Sequence, residues 1–418
     1  MSLDRKDGIL SLDSVRLDQV AARFGTPTYV YSWDAIEARY QELVGALKNT
    51  RHRICYAMKA NSNLAILHHL NQLGSNFDIV SGGELERLMV ADISPSRAIF
   101  SGVGKSVSEI DFALKAGIGC MNMESTAELE RIETRANLLG KIAPVSVRLN
   151  PDVDVNTHPY LSTGLRQNKF GVAEPEALEM CRHAHQSQNL EILGLGCHIG
   201  SQINQTAPFI EALDHLIKLT HQLSGEGIDV EHLDLGGGLG ISYANEVELD
   251  VGAYAAAISE KLKGLSVELL IEPGRYLVAE AGLLLTRVEY LKPSGVPDQP
   301  NYAVVDAAMN DLIRPALYQA YHQVVSVDRD GKNSCQWDIV GPICESGDFL
   351  ALQRDLDLSE GSLLAILSAG AYGFVQSSNY NTRTRSAEVM ICRNDMHLVR
   401  DRESISDLLR HERILRSY

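Results

Sequence analysis

The chain has 418 residues, which at about 150 residues per domain indicates two or three domains. Hydrophobic residues make up 45% and charged residues 22%, a globular mix that can bury a large core. The formal net charge of −16 argues against a nucleic-acid-binding protein, which normally carries a basic face.

Two further function classes are disfavoured. No run of about 18 apolar residues is present, and the acidic N-terminus lacks the apolar stretch of a signal peptide. The seven cysteines are odd in number and form no CxxC pair, which argues against a disulfide framework or a zinc site. We therefore expect a cytoplasmic protein with reduced thiols and no metal.

Short apolar runs alternate with helical patterns through the first two-thirds of the chain. Eight runs are strand candidates: RICYAM (53–58), NFDIV (76–80), RAIFSG (97–102), IGCMNM (118–123), VSVRLN (145–150), LGLGCHI (193–199), VEHLDLGGG (230–238) and VELLIEPG (267–274). The helical stretches include two S-x-x-E capping boxes, Ser106–Glu109 and Ser125–Glu128. This alternation favours a (β/α)8 barrel over residues 36–277, with Trp33–Leu47 as the helix before the first strand. An open doubly wound sheet remains the alternative.

After residue 278 the helical patterns disappear until the tail. Strand-like runs separated by turns predict an antiparallel β-domain over residues 278–418. The runs are GLLLTRVEYL, NYAVVDAAM, CQWDIVG, GDFLALQRDL, SLLAILSAGAYGF, SAEVMICR and MHLVR.

Nearly every predicted barrel strand ends in a polar or glycine cluster, where such a barrel places its active site. Lys59 closes the first strand. As a surface residue it would extend its charged end to solvent. As a functional residue it would be a desolvated amine with a lowered pKa that forms a Schiff base.

The turns after strands seven and eight are the usual phosphate site of this barrel. Gly236, Gly237 and Gly238 follow strand seven, and EPGR (272–275) ends strand eight. Glu272 is either a salt-bridged carboxylate or the partner of a ring nitrogen. His198 is either a core histidine or a ring that stacks on a planar cofactor. Together with Lys59, these residues indicate pyridoxal phosphate.

The β-domain has its own candidates. Cys344 and Glu345 lie in the turn-rich stretch GPICESGD (341–348), where a cysteine is a candidate for acid–base chemistry rather than packing. Tyr372 lies between glycines in AGAYGF (369–374). Arg314 and Tyr318, at i and i+4, are either one carboxylate-binding face or a surface helix with a packed tyrosine.

Several motifs together resemble one known family. YAMKAN, HIGSQ, GGGLG, EPGRYLV, RPALYQAYH, GPICESGD and GAYGF occur in the order found in the diaminopimelate decarboxylase family, PLP-dependent enzymes with the alanine-racemase-like fold. The resemblance runs from TPTYVYS (26–32) to the final strands. HPYLSTG (158–164) with NKFG (168–171) resembles the family's active-site loop. The resemblance implies that residues 1–35 join the C-terminal β-domain, and that the protein is a homodimer with shared active sites.

The resemblance also implies a role for each candidate. Lys59 would bind the cofactor covalently, His198 would stack on its ring, and Glu272 would contact the ring nitrogen. Further cofactor contacts would come from Ser201, Gly236, Gly237, Gly238, Pro273, Gly274, Arg275 and Tyr372. Substrate would be bound by Arg275, Arg314, Tyr318, Glu345 and Tyr372, with Cys344 as the proton donor.

The activity implied is decarboxylation of meso-2,6-diaminopimelate to L-lysine and CO2, the last step of lysine biosynthesis. Four alternatives remain. An ornithine or arginine decarboxylase would lack a site for a distal carboxylate, and an alanine racemase would need a different acid–base pair. A phosphate-binding aldolase would leave the β-domain residues unexplained. An inactive homologue that binds a partner would be expected to lack Lys59 or Cys344.

Overall fold

The computed structural model describes residues 1–153, 169–296, 299–328 and 334–415. Its strands are β1 (Leu3–Lys6), β2 (Ile9–Leu12), β3 (Val15–Arg16), β4 (Thr28–Ser32), β5 (His52–Ala57), β6 (Asn76–Ile79), β7 (Ala98–Phe100), β8 (Cys120–Met123), β9 (Ala143–Leu149), β10 (Leu190–Cys197), β11 (His232–Asp234), β12 (Glu268–Ile271), β13 (Gly282–Lys292), β14 (Asn301–Val305), β15 (Val324–Ser326), β16 (Cys335–Val340), β17 (Phe349–Leu356), β18 (Leu363–Ile366), β19 (Ala387–Cys392) and β20 (Asp395–Arg400).

The helices of the same residues follow the predicted alternation up to α9. They are α1 (Leu17–Phe24), α2 (Trp33–Ala46), α3 (Leu64–Gln72), α4 (Gly82–Val90), α5 (Val107–Ala116), α6 (Thr126–Leu139), α7 (Glu174–Gln186), α8 (Ala207–Gly225), α9 (Val251–Leu262), α10 (Arg275–Val278), α11 (Arg314–Tyr318) and α12 (Ile405–Leu409). Within the described residues, no helix is long and apolar enough to span a bilayer.

Contacts group the chain into two compact units. One contains Arg39–Ser242 and Val247–Tyr276, and the other contains Met1–Ala38, Tyr243–Glu246 and Leu277–Tyr418. We call them the barrel unit and the β-unit. The short segment Tyr243–Glu246 belongs by its contacts to the β-unit, although it lies inside the predicted barrel sequence.

The barrel unit contains a closed barrel of eight parallel strands, β5 to β12. β12 pairs with β5 and closes the cylinder, so the prediction of a (β/α)8 barrel is confirmed and the open sheet is wrong. All eight predicted strands form. Cys55, Ile99, Cys120 and Leu270, from four different strands, pack together as a buried apolar cluster.

The two predicted capping boxes have different outcomes. At α5, Ser106 and Glu109 form the reciprocal box as predicted. At α6, the Ser125 hydroxyl accepts a hydrogen bond from the Glu128 amide. The Glu128 carboxylate, however, accepts from the Glu124 amide at 2.8 Å and from Lys105 Nζ at 3.1 Å. The buried ammonium of Lys105 draws this carboxylate away, so the second prediction is half right.

The β-unit is built on a sheet in the order β17-β16-β14-β13-β4-β19-β20, with β18 pairing β13 and β15. Most pairs are antiparallel as predicted, but β14–β16 and β4–β19 are parallel. β4 comes from the N-terminal segment and lies between β13 and β19, so the predicted N-terminal contribution is confirmed. Val30 of β4 is fully buried in the core of this unit, with Leu283, Leu285 and Val389.

Candidate active site

The carboxyl ends of the barrel strands surround a cavity of about 440 Å³. Parallel strands in a closed barrel bring these ends to one rim, so residues far apart in sequence meet there. Three residues predicted from the sequence, Lys59, His198 and Glu272, line this cavity. Ser101, Asn122, Arg148 and Asp234 also contribute to its wall.

Lys59 lies in a short 3-10 turn, Met58–Ala60, directly after β5. Its Nζ donates to Asp78 Oδ2 at 2.8 Å, and the Asp78 side chain is fully buried at the end of β6. Lys59 itself is 35% exposed, toward the cavity that it lines. The ion pair with the buried Asp78 holds the Lys59 amine at the cavity. A lysine that only extends to bulk solvent would not have this buried partner.

Glu272 follows β12 and is buried beside Asp234, the last residue of β11. Burial raises the pKa of Glu272 well above its usual value, and the neighbouring Asp234 and Asp78 raise it further. Burial also raises the pKa of Asp234 to about 6. Both carboxyl groups line the cavity, so its wall favours a cationic group such as a protonated ring nitrogen.

The glycine turn holds two site side chains in place. The Gly236 amide donates to Asp234 Oδ1 at 2.8 Å, and the Gly237 amide donates to His198 Nδ1 at 3.0 Å. A side chain at Gly237 would collide with the Glu272 carbonyl. In this geometry two of the three glycine amides donate to side chains of the protein itself, whereas the sequence had suggested a phosphate site at this turn.

His198 is kept neutral by its surroundings. Burial lowers its pKa well below the usual value, and the cations Lys59 and Arg148 lower it further. Because Nδ1 accepts from Gly237, the ring hydrogen resides on Nε2. A neutral imidazole fixed at one edge can present its face to a planar group in the cavity.

The remaining cofactor candidates lie next to the same turns. Arg275 is buried, and its Nη2 donates to Ser201 Oγ at 3.0 Å. The Pro273 carbonyl accepts from the Ala57 amide at 3.1 Å, and Gly274 packs against the Ala57 carbonyl. These contacts join the end of β12 to the strand that carries Lys59.

Glu124, which follows β8, connects two loops of the rim with strand β9. Oε1 accepts from the Gly102 amide and from Arg148 Nη1, each at 3.0 Å, and Oε2 accepts from the Gly171 amide at 3.1 Å. The Arg148 guanidinium lies 4.8 Å from the centroid of the Phe170 ring. HPYLSTG (158–164) and Asn168 of NKFG, which precede this point, lie outside the described residues.

In the β-unit, Arg314 and Tyr318 lie on the five-residue helix α11, with the guanidinium carbon 6.0 Å from the Tyr318 ring centroid. Arg314 is buried, whereas Leu317 on the same helix is exposed to solvent. Its Nε donates to His322 Nε2 at 3.4 Å, and the His322 Nδ1 lies 2.8 Å from the Leu367 carbonyl. The Tyr243 ring centroid lies 5.2 Å from the same guanidinium carbon.

Cys344 and Glu345 lie on an exposed loop of the β-unit. The Cys344 amide donates to Asn381 Oδ1 at 2.9 Å, and Tyr380 Oη lies 3.5 Å from Glu345 Oε2. Asp348 accepts from the amides of Ile343 and Met309, each at 2.7 Å, and so closes the loop. The Cys344 thiol is therefore presented on a fixed backbone.

Tyr372 adopts a left-handed backbone with φ of 56°. On one side, Gly370 packs so tightly against the Val278 carbonyl that a side chain would not fit, and on the other, Gly373 packs against Tyr29. The glycines thus hold Tyr372 in a conformation that non-glycine residues seldom adopt.

Comparisons with known proteins agree with this geometry. Residues 33–279 match the family described as pyridoxal-dependent decarboxylase, pyridoxal binding domain. The chain is 52% identical over 410 residues to a diaminopimelate decarboxylase of Pseudomonas aeruginosa, covering 98% of each chain. It is 49% identical over 412 residues to that of Vibrio cholerae, again covering 98% of each. The chain belongs to the diaminopimelate decarboxylase family. The resemblance inferred from the motifs is confirmed.

Solved structures of the family have the same fold. The chain matches diaminopimelate decarboxylase from Helicobacter pylori complexed with L-lysine with a TM-score of 0.91 and 42% identity, over 94% of this chain and 98% of that one. A lysine/ornithine decarboxylase from Vibrio vulnificus, 22% identical with a TM-score of 0.79 over 90% of this chain and 97% of that one, shares the fold alone.

The residues in the barrel fit pyridoxal phosphate. Lys59 supplies an amine for its aldehyde, and the buried carboxyl pair suits a protonated ring nitrogen. Among the described residues, no hydrogen-bond donor reaches Asp78 Oδ1 or Asp234 Oδ2, although both atoms are buried. Buried polar atoms normally have partners, so these oxygens suit a cationic ligand.

Some contributors were missed by the sequence reasoning. Asp234 ends β11, and that position was the available signal for it. His322 closes the motif RPALYQAYH without having been assigned a role. Tyr243 carried no signal, because it joins Arg314 only through the fold.

Proposed function

We propose that the chain is a carboxy-lyase that converts meso-2,6-diaminopimelate to L-lysine and CO2 with pyridoxal phosphate as cofactor. The observation that carries this proposal is the cavity in which the Lys59–Asp78 ion pair and the buried carboxyls of Glu272 and Asp234 meet. The near-complete overlap with relatives of that name supports the choice of substrate.

In this proposal, the charge of each barrel residue determines its role. When bound, pyridoxal phosphate supplies an acceptor for the electrons of the bond that breaks. Lys59 would hold the cofactor through its amine. Glu272 would keep a proton at the ring nitrogen, and neutral His198 would pack on the ring without adding a competing positive charge. Ser201, Arg275 and the turn Gly236–Gly238 would hold the phosphate end, with Gly238 as the glycine whose amide is not bonded to Asp234 or His198.

We assign substrate recognition to polar side chains of both units. In the barrel unit this is Arg275. In the β-unit, the buried Arg314 with Tyr318 suits a carboxylate, because a guanidinium forms charge-assisted hydrogen bonds with it. Glu345 suits an ammonium group, and Tyr372 completes the substrate contacts. Residues 36–277 would thus form the cofactor domain, and 1–35 with 278–418 the domain that contributes substrate and dimer-interface residues.

Cys344 would return a proton to the α-carbon after CO2 leaves. The family resemblance assigns it to the active site of the partner in a homodimer, and its exposure on an ordered loop supports this role. All seven cysteines have free thiols, which supports a cytoplasmic location.

The direct test is turnover of candidate amino acids by the purified holoenzyme. meso-Diaminopimelate should yield equal amounts of L-lysine and CO2, and borohydride should fix the cofactor on the peptide that contains Lys59. Lys59→Ala should lose both properties. Turnover of ornithine or arginine as efficient as that of diaminopimelate would refute the substrate assignment, while cofactor fixed on another lysine would refute the site.

A further inference from the structure

Asp234 is fixed beside Glu272 by the backbone of Gly236. The Gly236 amide donates to Asp234 Oδ1 at 2.8 Å, and the Gly236 carbonyl accepts from the Glu272 amide at 2.7 Å. β11 and β12 are in register with Asp234 opposite Leu270, two residues before Glu272. Both residues line the cavity at the carboxyl ends of the strands, so both carboxyl groups face into the barrel.

The cations nearest to this pair are committed to other carboxylates. Lys59 pairs with Asp78 at 2.8 Å, and Arg148 pairs with Glu124 at 3.0 Å. Among the described residues, neither Asp234 nor Glu272 takes part in an ion pair. Two buried carboxyl groups in contact cannot both ionise without a cation, and such pairs hold one proton between them.

The raised pKa values of both groups agree with a shared proton. Burial is the largest cause for each, and their mutual contact adds to it for Glu272. Charged and titratable groups face the pair from the other barrel strands. Those that interact with one or both members are Cys55 and Lys59 from β5 and the turn after it, Asp78 from β6, Cys120 from β8, Arg148 from β9, Cys197 from β10 and, on the outer layer, Tyr254 from α9.

We infer that Asp234 and Glu272 hold one proton between them in the apoprotein and release it to solvent when pyridoxal phosphate, whose ring nitrogen is already protonated at neutral pH, binds beside them. The O–H bond of the pair breaks as its proton passes to water, so the pair gains the negative charge that faces the positively charged ring. Asp234 is thereby a positioning residue that acts through Glu272. The inference rests on the cofactor assignment of the proposed function.

The test counts the protons released to solvent when the apoprotein is loaded with pyridoxal phosphate. Calorimetric titrations at neutral pH in buffers of different ionisation enthalpy give this number. Glu272→Gln should release about one proton fewer than the unmodified protein, because its amide cannot ionise and Asp234 beside it is ionised before loading. Asp234→Asn removes the neighbouring charge and should lower the pH above which the proton release disappears. Asp214→Asn is the matched control, because that carboxylate is an exposed partner of Lys261 and should leave the proton count unchanged.

Equal proton release by Glu272→Gln and the unmodified protein would overturn the inference while leaving the cofactor assignment intact. Failure of the cofactor to attach to Lys59 in the unmodified protein would instead refute the proposed function. If Glu272→Gln does not fold, infrared spectra of the unmodified protein decide the question. A carboxylic acid band at neutral pH that disappears on loading with pyridoxal phosphate supports the shared proton, and the absence of such a band from the apoprotein refutes it.

Discussion

Replacing Glu124 by glutamine should loosen the rim of the barrel on the side of Arg148. The Glu124 side chain is 1% exposed and accepts from three donors, two on loops and one on strand β9. Glutamine has the same shape but keeps only one oxygen, so an N–H group would face either the Gly171 amide or the donors Gly102 and Arg148. The charge opposite Arg148 also disappears.

The expected loss in free energy of unfolding is about 3 kcal/mol. Breaking a buried ion pair by removing one partner costs about 3–5 kcal/mol, and a hydrogen bond to a charged group contributes about 1.5–3 kcal/mol. Arg148 is 11% exposed, so water can partly hydrate its guanidinium once the carboxylate is gone. The expected cost therefore lies at the lower end of the range for a buried ion pair.

Urea unfolding of Glu124→Gln, Arg148→Met and the double variant forms a thermodynamic cycle that isolates the pair. We expect a coupling energy of about 2 kcal/mol, since the side chains are in contact. A coupling below about 0.5 kcal/mol, the level of independent sites, would refute the reasoning. Thr126→Ala, at an exposed hydrogen bond to Glu176 on the same side of the barrel, is a control that should change stability little.

Four further outcomes are expected. Glu272→Gln should lower kcat about a hundredfold, roughly 3 kcal/mol, while cofactor content is retained; unchanged turnover would make Glu272 structural. The stability that Asp234 and Glu272 contribute to the apoprotein should fall as pH rises from about 4, where unfolded carboxyls titrate, through about 6, because acids with raised folded-state pKa values stabilise only while protonated. The difference in urea midpoint between the unmodified apoprotein and Glu272→Gln across this range checks it, and a difference that does not change with pH would contradict it. Arg314→Met should reduce the ratio of kcat/KM for diaminopimelate over lysine rather than lower all rates equally, since a buried guanidinium without its carboxylate is unfavourable. Mixed Lys59→Ala and Cys344→Ala chains should regain activity through hybrid dimers; no activity despite demonstrated subunit exchange would place each site within one chain.

Local sequence patterns were sufficient for the architecture of the barrel unit. The eight strands recur as apolar runs because each is covered on both faces, and a closed barrel forms when such strands alternate with helices. Lys59, His198 and Glu272 could be chosen in advance because each directly follows a strand, and the carboxyl ends of parallel strands meet at one rim. The motif order was sufficient to identify the family.

Relations between distant residues were beyond the reach of such patterns. β4 lies between β13 and β19, which are hundreds of residues away in sequence, because the β-unit needs an apolar strand at its centre. Asp234 and Glu272 form a pair because neighbouring strands hold them in contact, and Tyr243 meets Arg314 through the same kind of long-range packing. Protonation depends on these contacts, since burial and nearby charge set a pKa and neither is encoded in a residue's immediate sequence neighbours. The chain sequence therefore indicates which groups are present at the site. The packing of the fold determines which of them are in contact and which of them are protonated.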